Sequence, residues 1–178
     1  VLAGLILFGL YAWTNIMFIE DEEDTVTIEL YAQQFNWTAR YAGNDNVLGK
    51  ANVRYIEGVN TLGVDVEDPY ANDDVVSKEL HIPKGKKVHF KMRSQDVLHS
   101  AYMPYFRAQM NCVPGMVTEF AFEPTYTTAE YRELPYMVAK VANINSIRTK
   151  KSAELVAKGE SALDPYEFDF LLLCNKIC

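Results

Sequence analysis

Cysteine is scarce in this chain. Only three cysteines occur among 178 residues, at positions 112, 174 and 178. Three is an odd number and too few for a disulfide-stabilised scaffold, so at least one thiol is left over. Cys112 stands apart from the other two. Because free cysteine is among the most buried residue types, we predict that Cys112 is an ordinary residue of the core.

The signatures of several enzyme classes are also missing. The chain contains no G-x-S-x-G, no glycine-rich phosphate loop and no H-E-x-x-H, which excludes the nucleophile, phosphate and zinc-protease sites that those patterns mark. Basic residues number 17 against 24 acidic ones, giving a net charge of −7. This balance argues against nucleic acid as a partner and is compatible with a basic protein partner.

Charge is absent from residues 1–19. At ~1.5 Å per helical residue this segment nearly crosses a hydrocarbon core of about 30 Å, so we expect a transmembrane helix there. The segment lacks the basic region and cleavage pattern of a signal peptide, and the chain opens with Val1, which predicts a piece of a longer protein. No Lys or Arg precedes Arg40, so the remainder is expected to face away from the cytoplasm.

Alternating apolar residues predict β-strands at residues 25–31, 32–41, 77–82, 86–93, 116–123 and 166–172. No helices alternate with these strands, so we predict an all-β domain built as a two-sheet antiparallel sandwich. Residues 42–74 are predicted to form long loops with a short hairpin at 52–56. Residues 127–164 break the strand pattern and are predicted to form a partly helical insertion, with one or two short helices over 136–157 that stop at Gly159.

Two groups of residues are candidates for chemistry. Cys174 and Cys178 form a C-x3-C pair, whose soft thiolates suit copper, zinc or an iron cluster. Two inert buried cysteines or a strained disulfide fit the same spacing. His99 lies in a predicted loop, where functional residues tend to occur. His81 and His89 are predicted on the solvent-facing sides of their strands.

The order of these groups resembles subunit II of the haem-copper cytochrome c oxidases. The resemblance rests on D-V-L-H-S at 96–100, V-P-G at 113–115, C-x3-C at 174–178, the aromatic stretch Q-F-N-W at 34–37 and the apolar segment before them. It covers most of the chain. It implies a cupredoxin-like domain at 25–178, after a membrane helix and with an insertion at about 127–164.

The resemblance also implies a dinuclear copper centre, copper A. In the family both cysteine sulfurs bridge two coppers, the histidine of D-V-L-H-S ligates one copper, and the residue midway between the cysteines adds its backbone carbonyl. These positions are Cys174, Cys178, His99 and Lys176 here. The family's further histidine and methionine ligands are expected beyond Cys178. Lys176 replaces a glutamate that reaches an interface magnesium ion in the family, so we predict that this chain lacks that magnesium site.

The implied function is electron transfer within a proton-translocating terminal oxidase. Electrons from cytochrome c, diffusing or tethered, pass through subunit II to the haem-copper subunit I, where oxygen is reduced. The family accepts electrons at a tryptophan whose position is Phe35 here, so we expect Trp37 or Tyr102 to take that role. Seven acidic residues between positions 57 and 79 are predicted to steer a basic cytochrome c.

The resemblance places the chain in an energy-transducing membrane, with its globular domain on the periplasmic or intermembrane side. A bacterial inner membrane is favoured over a mitochondrial one. Two other functions fit part of the pattern. One is a membrane-anchored assembly or interaction module whose cysteines form a disulfide or bind zinc. The other is a quinol oxidase subunit, a relative that has lost the copper ligands; retention of His99, Cys174 and Cys178 argues against it.

Overall fold

The computed structural model describes residues 1–17 and 24–176. The chain divides into two compact units. The first, called here the sandwich unit, contains Val1–Pro124 and Leu172–Cys178, and the second, the insertion unit, contains Thr125–Leu171.

The sandwich unit contains one helix and eight strands in its described part. The helix is α1 (Leu2–Met17), and the strands are β1 (Val26–Gln33), β2 (Asn36–Tyr41), β3 (Val75–Ser77), β4 (Val88–Ser94), β5 (His99–Met103), β6 (Ala108–Cys112), β7 (Thr118–Phe122) and β8 (Leu173–Cys174). Short 3-10 turns occur at Val53–Tyr55, Pro69–Ala71 and Pro104–Phe106.

The strands form two sheets. The larger has the order β3-β2-β1-β4-β7 and the smaller the order β6-β5-β8. All pairings are antiparallel except that of β1 with β4, which run parallel. The sandwich is therefore mixed and not purely antiparallel as predicted. Parallel neighbours need a long connection, and residues 42–87 supply it between β2 and β4.

The core lies between the two sheets. The larger sheet contributes side chains that are at most 2% exposed, including Ile28, Leu30, Phe90 and Met92. The smaller sheet contributes Ala101, Met103, Ala108 and Cys112. Cys112 is fully buried, as predicted, and burial raises the pKa of its thiol to about 11, so it is an inert part of the packing.

The outer face of the larger sheet is buried as well, which the alternating pattern of β1 did not predict. Residues of both parities in β1 are buried, because the segment 42–74 covers this face. Asn46 fixes one end of the cover: its side chain accepts from the Thr27 N–H at 2.8 Å and donates to the Thr25 carbonyl at 2.6 Å. Polar residues on a strand are thus enclosed by other polar groups.

Four charged side chains hold this cover in place. Arg40 donates to Glu29 at 2.7 Å and to Asp74 at 2.8 Å, with all three side chains no more than 5% exposed. Arg40 also donates to the Gly49 carbonyl at 2.9 Å. Arg93 pairs with the second oxygen of Glu29 and donates to the Leu62 carbonyl at 3.2 Å. Burial raises the pKa of Asp74 despite the neighbouring Arg40.

Several predicted elements are corrected by the structure. The predicted strand 77–82 is only Val75–Ser77, and the predicted hairpin at 52–56 is a 3-10 turn that begins at a side-chain cap from Asn52. Residues 166–172 do not form a strand. Strands β5 and β6 were not predicted, and His99 is the first residue of β5 and does not lie in a loop.

The insertion unit is helical, as predicted, and contains α2 (Thr128–Arg132) and α3 (Pro135–Ala157). A capping box between Thr127 and Glu130 starts α2, and α3 gives way to Gly159 at φ +82°, a conformation suited to glycine. The returning chain lies along α3. Its backbone is held there by side chains, since Asn145 bonds both the N–H and the carbonyl of Tyr166 and Ser152 accepts from the Leu163 N–H.

Helix α1 lies within the predicted membrane segment 1–19, and none of its 16 residues is buried. Phe18 and Ile19 lie outside the described residues. Within the described parts of the chain, no helix has both the length and the apolar character needed to span a membrane.

We expect Arg40→Leu to lower the free energy of unfolding by about 3–5 kcal/mol, because it leaves the buried Asp74 carboxylate without its cation. Urea denaturation of the variant measures the loss. Arg54→Leu is the matched control, since Arg54 is exposed, and should change stability by no more than about 0.5 kcal/mol. Equal stability of the two variants would show that the buried ion pairs do not stabilise the sandwich unit.

Candidate functional site

One end of the two sheets collects the residues that the motifs single out. The parallel strands β1 and β4 both end there, at Gln33 and Ser94, and β5 begins there at His99. Strand β8 pairs antiparallel with β5, in a register that sets Cys174 opposite Ala101. The Asn175 N–H then donates to the Ser100 carbonyl at 3.1 Å. This pairing brings the cysteine loop beside the histidine.

His99 and Cys174 are neighbours in space. The Nδ1 atom of His99 lies 3.7 Å from the sulfur of Cys174, and Nε2 lies 2.8 Å from Oδ1 of Asp96. The imidazole is 2% exposed, whereas Cys174 is exposed. A carboxylate can only accept, so Nε2 donates to Asp96. The other ring nitrogen of a neutral imidazole then presents its lone pair towards the sulfur.

Asp96 is a residue of the site whose role the sequence did not reveal. Oδ1 also accepts from the Val97 N–H at 2.7 Å, and Oδ2 accepts from the Gln34 N–H at 2.7 Å. Burial by itself would raise the pKa of Asp96, but these bonds and the one from His99 lower that pKa to about 2. Its place three residues before His99 was the available signal. Asp96 fixes the imidazole and ties the β4–β5 loop to the turn after β1.

The charge of Asp96 also affects His99. Burial alone would lower the pKa of the imidazole, but hydrogen bonds with Asp96 and Cys174 raise it above the usual value. A carboxylate that holds the far nitrogen of a histidine is a common support for metal-ligating imidazole, because it fixes the ring orientation and the tautomer.

Lys176 contributes its backbone to the same corner. Its carbonyl oxygen is 3.9 Å from the sulfur of Cys174, and its side chain is exposed. The structure therefore brings together three of the four predicted metal-site residues: His99, Cys174 and Lys176. The fourth, Cys178, lies outside the described residues.

Copper is the metal that the resemblance to subunit II implies for these residues. A thiolate and an imidazole are soft to intermediate donors and suit copper or zinc. Residues 1–17 and 24–176 hold no group of three or more His, Cys, Asp and Glu side chains arranged for a metal ion. The described donors thus fit part of a copper site, and the predicted remainder begins with Cys178.

The aromatic residues proposed for electron uptake occupy different positions. Trp37 is half-buried, and its ring centroid lies 6.0 Å from that of His99 in an edge-on arrangement. Phe35 is 87% exposed, in the turn between β1 and β2. Tyr102 is half-buried and lies on the opposite face of β5 from His99, since side chains alternate along a strand. Trp37 is the best placed of the three.

The remaining histidines lie away from this contact. His81 is exposed, as predicted, and lies 3.4 Å from Glu79. His89 is buried at 4% exposure, which corrects the prediction of a solvent-facing side chain. Its Nε2 is 3.2 Å from Glu119 on the neighbouring strand β7. His89 lies on the outer face of the larger sheet. Because that face is covered by other parts of the chain, its side chain is buried and does not face solvent.

Known proteins resemble the chain in sequence. The family described as cytochrome c oxidase subunit II, periplasmic domain, matches residues 26–134. The alternative cytochrome c oxidase subunit 2 of Bradyrhizobium diazoefficiens is 42% identical over 127 residues, which are 70% of this chain and 45% of that protein. Cytochrome c oxidase subunit 2 of Thermostichus vulcanus is 43% identical over 49 residues, 28% of this chain and 15% of that protein.

Among solved structures, the periplasmic domain of subunit II of cytochrome oxidase from Bradyrhizobium japonicum matches with a TM-score of 0.40 and 22% identity, covering 61% of this chain and 70% of that one. The chain spans less than half the length of the curated relatives that it matches. The family match nevertheless extends over more than half of the chain. The chain belongs to the cytochrome c oxidase subunit II family, through its periplasmic domain.

Proposed function

We propose that this chain is the electron-transfer subunit of a terminal cytochrome c oxidase and that it carries a dinuclear copper A centre. The observation that carries the proposal is the approach of His99 Nδ1 to the Cys174 sulfur at 3.7 Å, in a chain of the subunit II family. The two residues are 75 positions apart, and they meet because β8 pairs with β5.

The residues that would hold the copper are His99, Cys174, Cys178 and the carbonyl of Lys176, with further ligands beyond Cys178. When bound, the pair of coppers supplies a carrier of one electron whose ligand geometry changes little between oxidation states. The protein's own part is positional. Asp96 accepts from Nε2 of His99 and so orients the imidazole. The pairing of β8 with β5 fixes where Cys174 lies relative to His99.

Trp37 is proposed as the aromatic side chain through which electrons approach the centre. It is partly exposed and adjoins the His99 ring, so it links the surface to a proposed ligand. Phe35 is 87% exposed in the turn between β1 and β2, and Tyr102 lies on the face of β5 opposite to His99. The donor is a cytochrome c, diffusing or tethered.

The proposed partners are the haem-copper subunit I and the other oxidase subunits, with oxygen reduction and proton translocation assigned to the assembled enzyme. The membership of the periplasmic-domain family supports a location at a bacterial inner membrane, facing the periplasm. An assembly module with a disulfide or zinc is the rival function. The sulfur of Cys174 lies 3.7 Å from the imidazole Nδ1 of His99, and this thiol–imidazole pair supports the copper proposal.

We expect Cys178→Ser to abolish the copper A absorption while the domain stays folded, because a preformed sandwich does not need its metal to fold. Copper content, the purple mixed-valence spectrum and circular dichroism measure the two effects. His81→Ala is the control, since His81 is exposed and pairs with Glu79, and it should retain full copper. A full copper A signal in the Cys178 variant would disprove the ligand assignment.

We expect Trp37→Phe to slow reduction by cytochrome c by about tenfold, which corresponds to about 1.4 kcal/mol in the barrier. Its copper content should be unchanged. Stopped-flow reduction by cytochrome c and by a small reductant separates the donor route from damage to the centre. Trp13→Phe, at the only other tryptophan, is the control. If Trp37→Phe reacts with cytochrome c at the unchanged rate, electrons arrive by another residue.

We expect the assembled enzyme to bind no magnesium or manganese through residue 176, because an ammonium group cannot ligate a hard cation and repels it at close range. Lys176→Glu should create that capacity, detected as bound Mn²⁺ by electron paramagnetic resonance. Lys158→Glu, at a lysine of the insertion unit, is the control. A manganese ion coordinated by residue 176 in the unaltered enzyme would contradict this prediction.

A further inference from the structure

The long helix of the insertion unit gives an acidic chain a basic surface. Residues 135–158 contain five basic side chains and one acidic one, whereas the whole chain has a net charge of −7. Both arginines of the insertion unit bond to its own backbone: Arg148 donates to the Asp164 carbonyl at 2.9 Å and Arg132 to the Phe168 carbonyl at 2.7 Å. The lysines therefore supply most of the charge that this surface presents to solvent.

The lysines of α3 lie on one side of the helix, which we call the lysine face. Its members follow one another at spacings of three and four residues, and all of them are exposed: Tyr136, Lys140, Asn143, Ile147, Lys150, Lys151, Glu154 and, at the end of the helix, Lys158. At 3.6 residues per turn, these spacings keep side chains on one face. The lysine face extends over about 33 Å, since each helical residue rises ~1.5 Å.

Two large side chains with apolar surface lie among the lysines. Tyr136 is 55% exposed and Ile147 is 58% exposed. The helix dipole favours lysines near the C-terminal end of a helix, but it does not account for Lys140 in the second turn of α3 or for the two exposed side chains beside it. Within the described residues, Lys150 and Lys151 form no ion pair, so their charges are available to a partner.

We infer that the lysine face binds the surface of a bilayer that contains anionic phospholipids. This inference rests on the proposed function, because that function places the chain at a membrane. The lysine ammonium groups pair with lipid phosphates, and each lysine near such a surface strengthens binding by about fivefold. Tyr136 and Ile147 enter the headgroup layer, where aromatic side chains with a polar tip are favoured and the lysine stems lie alongside.

A protein with an acidic surface is the alternative occupant, and the kind of basic residue argues against it. Protein–protein interfaces are enriched in arginine and depleted in lysine, because a guanidinium group pairs with a carboxylate in a fixed, forked geometry. The insertion unit has the opposite distribution, with its arginines bonded internally and its lysines exposed. A lysine is a hydrated, flexible point charge, which suits a fluid layer of mobile phosphates.

The test uses the assembled oxidase in lipid nanodiscs, made from phosphatidylcholine alone or from an equal mixture of phosphatidylcholine and phosphatidylglycerol. Acetylation followed by mass spectrometry measures how accessible each ammonium group is. Lys150 and Lys151 should react more slowly in the anionic discs, by about threefold or more, and about 0.5 M salt should remove this protection. Lys50, an exposed lysine of the sandwich unit, is the internal control and should react equally in both discs.

Charge reversal tests whether the lysines hold the face on the lipid. Hydroxyl-radical labelling of Tyr136 should be slower in anionic discs than in neutral ones. The double variant Lys150→Glu/Lys151→Glu should lose this difference. Lys50→Glu/Arg54→Glu changes the charge by the same amount at exposed positions of the sandwich unit, and it should keep the difference. Circular dichroism and the copper A spectrum check that both variants are folded.

The outcomes separate the two proposals. Equal acetylation of Lys150 in neutral and anionic discs would overturn the inference. Protection of the same size in both discs and in detergent would show that another protein subunit covers the lysine face, and it would reject the lipid surface as well. Either result, in enzyme with an intact copper A spectrum, leaves the proposed function standing. Lipid-dependent protection in enzyme without a copper A spectrum would instead reject the copper proposal and keep the lipid contact.

Discussion

The buried arrangement of two carboxylates around two guanidinium groups, Glu29 and Asp74 with Arg40 and Arg93, is the constraint on which the larger sheet depends. Two acids and two bases cancel in charge, and each arginine also bonds a backbone carbonyl of the covering segment. Such groups would be costly to bury singly. Together they allow a sheet to have a polar face that is nevertheless dry, and they attach a long irregular segment to it.

This constraint reaches the candidate site through β4. Arg93 is the last residue but one of that strand, and Asp96 follows three positions later. The position of Arg93 is fixed twice, by Glu29 and by the face of Tyr31, whose ring centroid is 4.9 Å from its guanidinium carbon. The loop that carries Asp96 therefore leaves a strand whose end cannot shift freely, and Asp96 in turn orients His99.

The sequence alone predicted the strands whose apolar residues alternate strongly. It was wrong where alternation had another cause, and it missed strands that lack typical strand residues. Residues 166–172 alternate because Phe168 and Phe170 both pack on Tyr131 of α2, while their neighbours Glu167 and Asp169 are exposed. Strands β5 and β6 were missed because neither contains a β-branched residue. For the site, the resemblance to subunit II gave His99, Cys174 and Lys176. The support from Asp96 and the contact with Trp37 depend on tertiary packing, which no local spacing encodes.

The insertion unit and the strand that positions Cys174 are stabilised by separate interactions. The insertion unit leaves the sandwich unit after Pro124 and rejoins it at Leu172, two residues before Cys174. The position of Cys174 along β5 is set by β8, which pairs with β5 inside the sandwich unit. The returning segment is anchored separately, on the side chains of α3. The position of the Cys174 sulfur therefore depends on a strand pairing within the sandwich unit, to which the 47 residues of the insertion unit contribute no strand.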